Sequence, residues 1–288
     1  MTQPSRSQRG LAVSITDMRA PWIGASKPVV FHHGIGTNRD IWAGWLPALA
    51  GQRPCLRFDF RGYGQSVVPP LEHTFSLEEL VADLMEVVSL AGNLSDDKNG
   101  PVHLVGESLG GTVVLAAAAR HPDRVASATV SNAAFKGAGI QYVKGWREEF
   151  RRNGVKSWSR VMMQKRFVPG VLDEARQAWF AAEQDKAPAH VTVGYAELLA
   201  GTDLTAELPR IKAPLLILMP DRSPFVTARM GVELAEHVAH AELVMFPGVR
   251  HGLPFSHAAE CSARLAEFLE QVERGTTGRA AALRIEES

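Results

Sequence analysis

Apolar residues change their spacing repeatedly along the chain, and each change marks an element. From Val102 to Ala119 the sequence VHLVGESLGGTVVLAAAA is apolar except for one interruption, Gly106-Glu107-Ser108-Leu109-Gly110. The run before it is short and β-branched, as a strand buried on both faces should be, and the run after it is rich in Ala and Leu, as a helix favours. Strand, sharp turn and helix follow, with Ser108 at the apex and Gly106 and Gly110 letting the two elements approach closely. Similar short apolar runs predict strands at 11–16, 28–32, 55–60, 125–130, 214–219 and 242–246, the first of them at an edge. Ser76 to Ala91 predicts a helix, with a capping box of Ser76 and Glu79 and a stripe of Leu77, Leu80, Val81, Leu84, Val87 and Val88. A further helix over Cys261 to Glu273 turns Leu265, Phe268, Leu269 and Val272 inward. Asp40 to Gly51 reads as a shorter amphipathic segment, with Ile41, Trp42, Trp45, Leu46 and Leu49 inward and Pro47 weakening its helix.

Strands alternating with helices predict an α/β fold, a mostly parallel central sheet flanked by helices. The alternation stops from Phe135 to about Thr205, where helical patterns broken at Pro169 and Pro188 carry three of the six tryptophans, Trp146, Trp158 and Trp179. The expected organisation is a core of residues 1–134 and 206–276, a helical cap or lid of 135–205, and a C-terminal tail of 277–288. The tail mixes small and charged residues and is expected to be mobile, with some helix. Trp146, Trp158 and Trp179 are candidates to line a substrate pocket or to pack on the core. Gly34 lies in a glycine-flanked loop at the carboxyl end of a predicted strand, where open α/β sheets contact ligands.

Composition narrows the partners. Lys plus Arg and Asp plus Glu number 31 each, so the formal net charge is zero and no nucleic-acid or anionic-membrane partner is expected. The start, MTQPSRSQRG, lacks the apolar region of a secretory signal, and no run reaches the about 18 apolar residues a membrane span needs. A cytoplasmic enzyme, monomer or homodimer, is the expectation. Cys55 and Cys261 read as small buried residues, and the scattered histidines show no metal-ligand spacing, so neither metal nor cofactor is expected. His33, Asp59 and Arg61 read as loop braces, and His237, His240 and His257 as surface or capping residues. Arg147, Arg151, Arg152, Arg160 and Arg166 read as solvated helix faces, with recognition of a substrate carboxylate as the alternative.

Three polar residues fall at the ends of separate predicted strands in the order Ser108, Asp221, His251. A serine hydroxyl is nearly inert at neutral pH; a neutral imidazole can take its proton, and a carboxylate fixes the imidazole's tautomer and steadies the imidazolium. That chain order belongs to one architecture. Over nearly its full length the chain resembles the α/β-hydrolase superfamily: the G-E-S-L-G-G elbow, His33-Gly34, the D-x-R-G-x-G-x-S loop at Asp59 to Ser66, and G-x-x-H at Gly248 to His251. The resemblance implies Ser108 as nucleophile, His251 as base and then acid, and the backbone N–H groups of Leu109 and Ile35 as the oxyanion hole. Members often carry G-x-x-D-P after the strand that ends near Met219, and that pattern puts Ser223 at the acid's place. Asp221, two residues earlier and the only carboxylate of the loop, is the expected acid. The superfamily's other acid position holds Asn132, and Asp203 and Asp59 are the fallbacks.

A serine at the elbow argues against the dehalogenases and epoxide hydrolases of this superfamily, which use an aspartate. The expected chemistry is acyl transfer to water from a small ester, lactone, thioester or amide. G-I-G-T-N-R-D-I-W at Gly34 to Trp42 and D-L-T-A-E-L-P-R-I-K-A-P at Asp203 to Pro214 are similar to 3-oxoadipate enol-lactonases. The alternatives are a carbon–carbon bond hydrolase of ring-cleavage diketone acids, a cofactor-free haloperoxidase, and a catalytically inactive ligand-binding protein of the same fold.

Overall fold

The computed structural model describes residues 5–24, 26–95, 97–140, 145–276 and 282–285. The first half runs through β1 (Ser5–Arg6), β2 (Ala12–Thr16), β3 (Val29–His32), α1 (Leu46–Leu49), β4 (Cys55–Asp59), α2 (Leu77–Gly92), β5 (Val102–Glu107), α3 (Leu109–Arg120) and β6 (Val125–Ser131). Three helices follow without an intervening strand, α4 (Trp146–Arg166), α5 (Glu174–Asp185) and α6 (Ala189–Gly201). The chain then returns to the sheet through β7 (Leu215–Pro220), α7 (Ala228–His237), β8 (Ala241–Phe246), α8 (Leu253–Ser256), α9 (Ala258–Arg274) and β9 (Ala282–Ile285).

Among the described residues the strands form one nine-stranded sheet in the order β1-β2-β4-β3-β5-β6-β7-β8-β9. The pairs β1·β2 and β2·β4 are antiparallel and every later pair is parallel. Parallel strands must be covered on both faces, which explains their unbroken apolar runs. One cover packs Leu80, Leu84, Val113 and Leu234 against Leu56, Leu104 and Ile217; the other packs Trp42, Trp45, Leu265 and Phe268 against Phe31, Leu218 and Val244. Because β5, β6, β7 and β8 are consecutive parallel strands, their carboxyl ends share one rim, and the loops that follow bring residues 108, 223 and 251 together there.

Local signals account for most boundaries. The Ser76 hydroxyl accepts the Glu79 N–H at 3.1 Å and starts α2, as its capping box predicts. Pro188 is the N-cap residue of α6 and Pro169 follows the end of α4. The segment predicted as one short helix at 40–51 divides into a 3₁₀ helix, Arg39–Trp45, and α1, with Leu46 only partly buried. The predicted strand at 11–16 is β2, one in from the edge because Ser5–Arg6 pairs outside it. Within the C-terminal segment, expected to be a mobile tail with some helix, Ala282–Ile285 extends along β8 as a parallel strand. The rest of that segment, 277–281 and 286–288, lies outside the described residues.

Candidate active site

The turn between β5 and α3 holds Ser108 at φ 54°, ψ −121°, a region a non-glycine residue enters only under constraint. Glycines make the turn possible. A Cβ on Gly106 would lie 2.4 Å from the Gly110 carbonyl oxygen, and one on Gly110 would lie 2.4 Å from that of His32. Ser108 Oγ is thereby presented to His251, whose Nε2 lies 3.3 Å away. His251 is buried, with Phe225 edge-on against its ring at 4.7 Å between centroids. Burial first, and then the positive charge of Arg166, hold its pKa well below 6.5, so the imidazole is neutral and able to accept a proton. Leu109 heads α3, so its N–H has no intrahelical acceptor.

Ser108, His251, Asn132 and Arg166 are the polar members of a cavity otherwise lined by Ile35, Ala134, Ile140, Trp146, Ala196, Leu199, Phe225 and Val226. The cavity therefore lies between the sheet rim and helices α4 and α6. The family model of the alpha/beta hydrolase fold matches residues 27–258. The chain belongs to the α/β-hydrolase family.

Within that family the chain is similar to several named enzymes. The 3-oxoadipate enol-lactonase 2 of Acinetobacter baylyi is 25% identical over 245 residues, which span 82% of this chain and 88% of that one. The 2-hydroxymuconate semialdehyde hydrolase of a Pseudomonas species is 24% identical over 270 residues, 87% of this chain and 89% of its own. Among solved structures, the enol-lactonase of Burkholderia xenovorans superposes with a TM-score of 0.77 at 24% identity, covering 90% of this chain and 96% of its own. That likeness is one of fold.

Against the α/β-hydrolase pattern, the expected acid is displaced. Asp221 is exposed, and its N–H bonds the carbonyl of Phe246, continuing the β7·β8 ladder one residue past its end. The backbone needs two more residues to come round to the histidine loop, and it is Ser223 Oγ that lies 2.9 Å from His251 Nδ1. Ser223 Oγ is itself held by the N–H groups of Phe225 and Val226, at 3.3 and 3.2 Å. A hydroxyl can donate to Nδ1 or accept from it, so Ser223 orients the ring without fixing its tautomer, and it brings no charge. The fallbacks lie elsewhere. Asp59 accepts the N–H groups of Arg39 and Gln65, both at 2.8 Å, and Asp203 caps its own turn through the Thr205 N–H. Asn132 approaches the opposite ring nitrogen, with Nδ2 3.4 Å from His251 Nε2 and 3.3 Å from Glu107 Oε1.

The remaining expectations divide. Trp146 lines the cavity, whereas Trp158 lies behind it, edge-on to Trp146 and stacked on Phe150. Trp179 does not reach the cavity: it stacks on Phe255 in a separate groove with Ile41, Gly44 and Arg176. Gly34 is not a lining residue; a Cβ there would meet Glu107 Oε2 at 2.1 Å and Ser108 Cβ at 2.9 Å, so its smallness makes room for the elbow. His33 braces its loop as expected, with Nε2 3.2 Å from the Phe60 N–H. Cys55 and Cys261 are both buried, as expected.

Two charged residues escape a reading by sequence alone. Glu107, inside the elbow motif, is buried, and desolvation raises its pKa. Arg166, read above as part of a solvated helix face with recognition of a substrate carboxylate as the alternative, is only 4% exposed, and its Nη2 donates to the carbonyl of Ile35 at 2.6 Å. Its position as the last residue of a helix, before Phe167-Val168-Pro169, was the one available hint.

Proposed function

We propose that the protein is a serine hydrolase of small carboxylic esters or lactones, with Ser108 as nucleophile and His251 as general base and then acid. The observation that carries this reading is Ser108 Oγ 3.3 Å from the Nε2 of a buried, neutral imidazole, at the apex of a strained turn. Ser108 attacks the acyl carbon as His251 takes its proton; His251 returns that proton to the leaving alkoxide, and an activated water then releases the acid. The N–H groups of Leu109 and Ile35 receive the oxyanion, an interaction worth about 3 kcal/mol of barrier for each donor. Ser223 takes the third place of the triad as a positioning hydroxyl. Residues 135–205 act as a cap on a core of 1–134 and 206–276, and Trp146, Ala196 and Leu199 supply its apolar contact with the acyl group.

The similarity to enol-lactonases supports the ester and lactone class. The test is hydrolysis of a short p-nitrophenyl ester by the wild type and by Ser108→Ala, together with labelling by a fluorophosphonate. Turnover and labelling are expected in the wild type and lost in the variant. Labelling that survives in Ser108→Ala would remove the assignment, and cleavage of ring-cleavage diketone acids without ester hydrolysis would replace the substrate class.

A further inference from the structure

The pocket holds a cation that makes no ion pair among the described residues. Arg166 reaches it from the end of α4 with its guanidinium carbon 5.4 Å from the centre of the Phe180 ring and Nη2 on the Ile35 carbonyl. Its Nε is buried with no hydrogen-bond partner, and no carboxylate among the described residues lies within ion-pair distance of it. The other two buried arginines among the described residues are matched, Arg39 with Asp59 and Arg53 with Glu273. Buried charge is costly unless compensated, so an unmatched guanidinium in the cavity that holds the nucleophile is suited to receive an anion. Glu107 does not fill that role: the two groups feel each other's charge, but burial raises the pKa of that carboxyl, its Oε1 is taken by Asn132 Nδ2, and neither of its oxygens lies within ion-pair distance of the guanidinium.

A second deficit lies in the same cavity. When the Ser108 proton moves to His251 an imidazolium forms, and in this chain the group at Nδ1 is the uncharged Ser223 hydroxyl while Arg166 repels the new charge. One occupant would correct both. Resting on the serine-hydrolase reading, we infer that the substrate is an ester or lactone whose acyl part carries a second carboxylate, seated on Arg166, and that this carboxylate supplies the negative charge which the triad itself lacks. The carboxylate is unchanged by the reaction: only the acyl–oxygen bond breaks, with the proton bookkeeping given above.

The experiment compares monomethyl glutarate, adipate and pimelate with chain-matched neutral methyl alkanoates at neutral pH. In the wild type at least one monomethyl half-ester should exceed its neutral partner in kcat/KM by about tenfold or more. Arg166→Met should bring that ratio close to unity and Arg166→Lys should retain part of it. Ser223→Asp should also shrink the ratio, by raising kcat on the neutral esters, an effect that a purely structural Arg166 would not produce. If Arg166→Met does not fold, competition on the wild type decides: glutarate or adipate should inhibit about tenfold more strongly than the corresponding diamide. A wild type that prefers neutral esters, a ratio that survives Arg166→Met, or equal inhibition by diacid and diamide would overturn the inference. Fluorophosphonate labelling of Ser108 separates the two readings: a labelled serine with no anion preference defeats this inference alone, whereas an unlabelled serine defeats the hydrolase reading beneath it.

Discussion

The hydroxyl of Ser223 stands 2.9 Å from His251 Nδ1, where many relatives in this family place a carboxylate, and the difference sets the behaviour of the base. Burial and the Arg166 charge keep the His251 pKa well below 6.5, so the acid limb of kcat/KM for a neutral ester is expected below that pH. Ser223→Asp adds a negative charge that favours the imidazolium. It should therefore raise kcat on neutral esters by about tenfold or more and move the acid limb to higher pH; a limb that stays in place or moves down would contradict this assignment. Asp221→Asn should leave kcat/KM within about twofold of wild type, since an exposed carboxylate without contact to His251 contributes little to orienting it. A loss of orders of magnitude would return the acid role to Asp221.

At the scale of elements, the unit formed by β5 and α3 depends on close approach of backbone to backbone. The Gly106 Cβ position lies 2.4 Å from a carbonyl oxygen that belongs to the elbow itself and cannot swing aside. Gly106→Ala should cost about 3 kcal/mol or more, read from urea unfolding, with loss of Ser108 reactivity. The inserted helices make a different prediction, because their tryptophans face different ways. Trp146→Ala should change KM for esters, whereas Trp179→Ala, in the groove with Phe255, should lower stability and leave KM unaltered. Equal changes in KM would mean that the two share one pocket. The pattern of apolar residues at 135–205 announced helices and their proline breaks, yet it could not distinguish these two side chains. Each lies on a helix whose burial depends on what packs beneath it.

Across the whole molecule, buried histidines couple stability to pH. Burial holds His32 and His33 down to about 3, against about 6.5 in an unfolded chain. Between those values the unfolded state binds protons that the folded state refuses, so stability is complete above about 6.5 and falls as pH drops towards 3. The melting temperature should decline steadily below about pH 6.5, and His33→Asn should flatten that decline while weakening the brace on the Phe60 N–H. A melting temperature independent of pH between 4 and 6.5 would contradict the burial of these rings.

Alternation of short β-branched runs with amphipathic helices was enough to specify a parallel α/β sheet, and Gly-Glu-Ser-Leu-Gly between strand and helix was enough to specify the elbow. Both are encoded locally, in residue types within about a dozen positions of one another. The partner of His251 Nδ1 is different in kind. Asp221 and Ser223 are two residues apart on one loop, and only the path of that loop past β8 decides which faces the histidine. The same holds for Arg166, which is preceded by the polar Gln164 and Lys165, and for the C-terminal strand β9, whose place is set by the free edge of β8. Burial, and with it charge state and partner, is a property of the assembled sheet and helices, because it depends on residues that are distant in the chain.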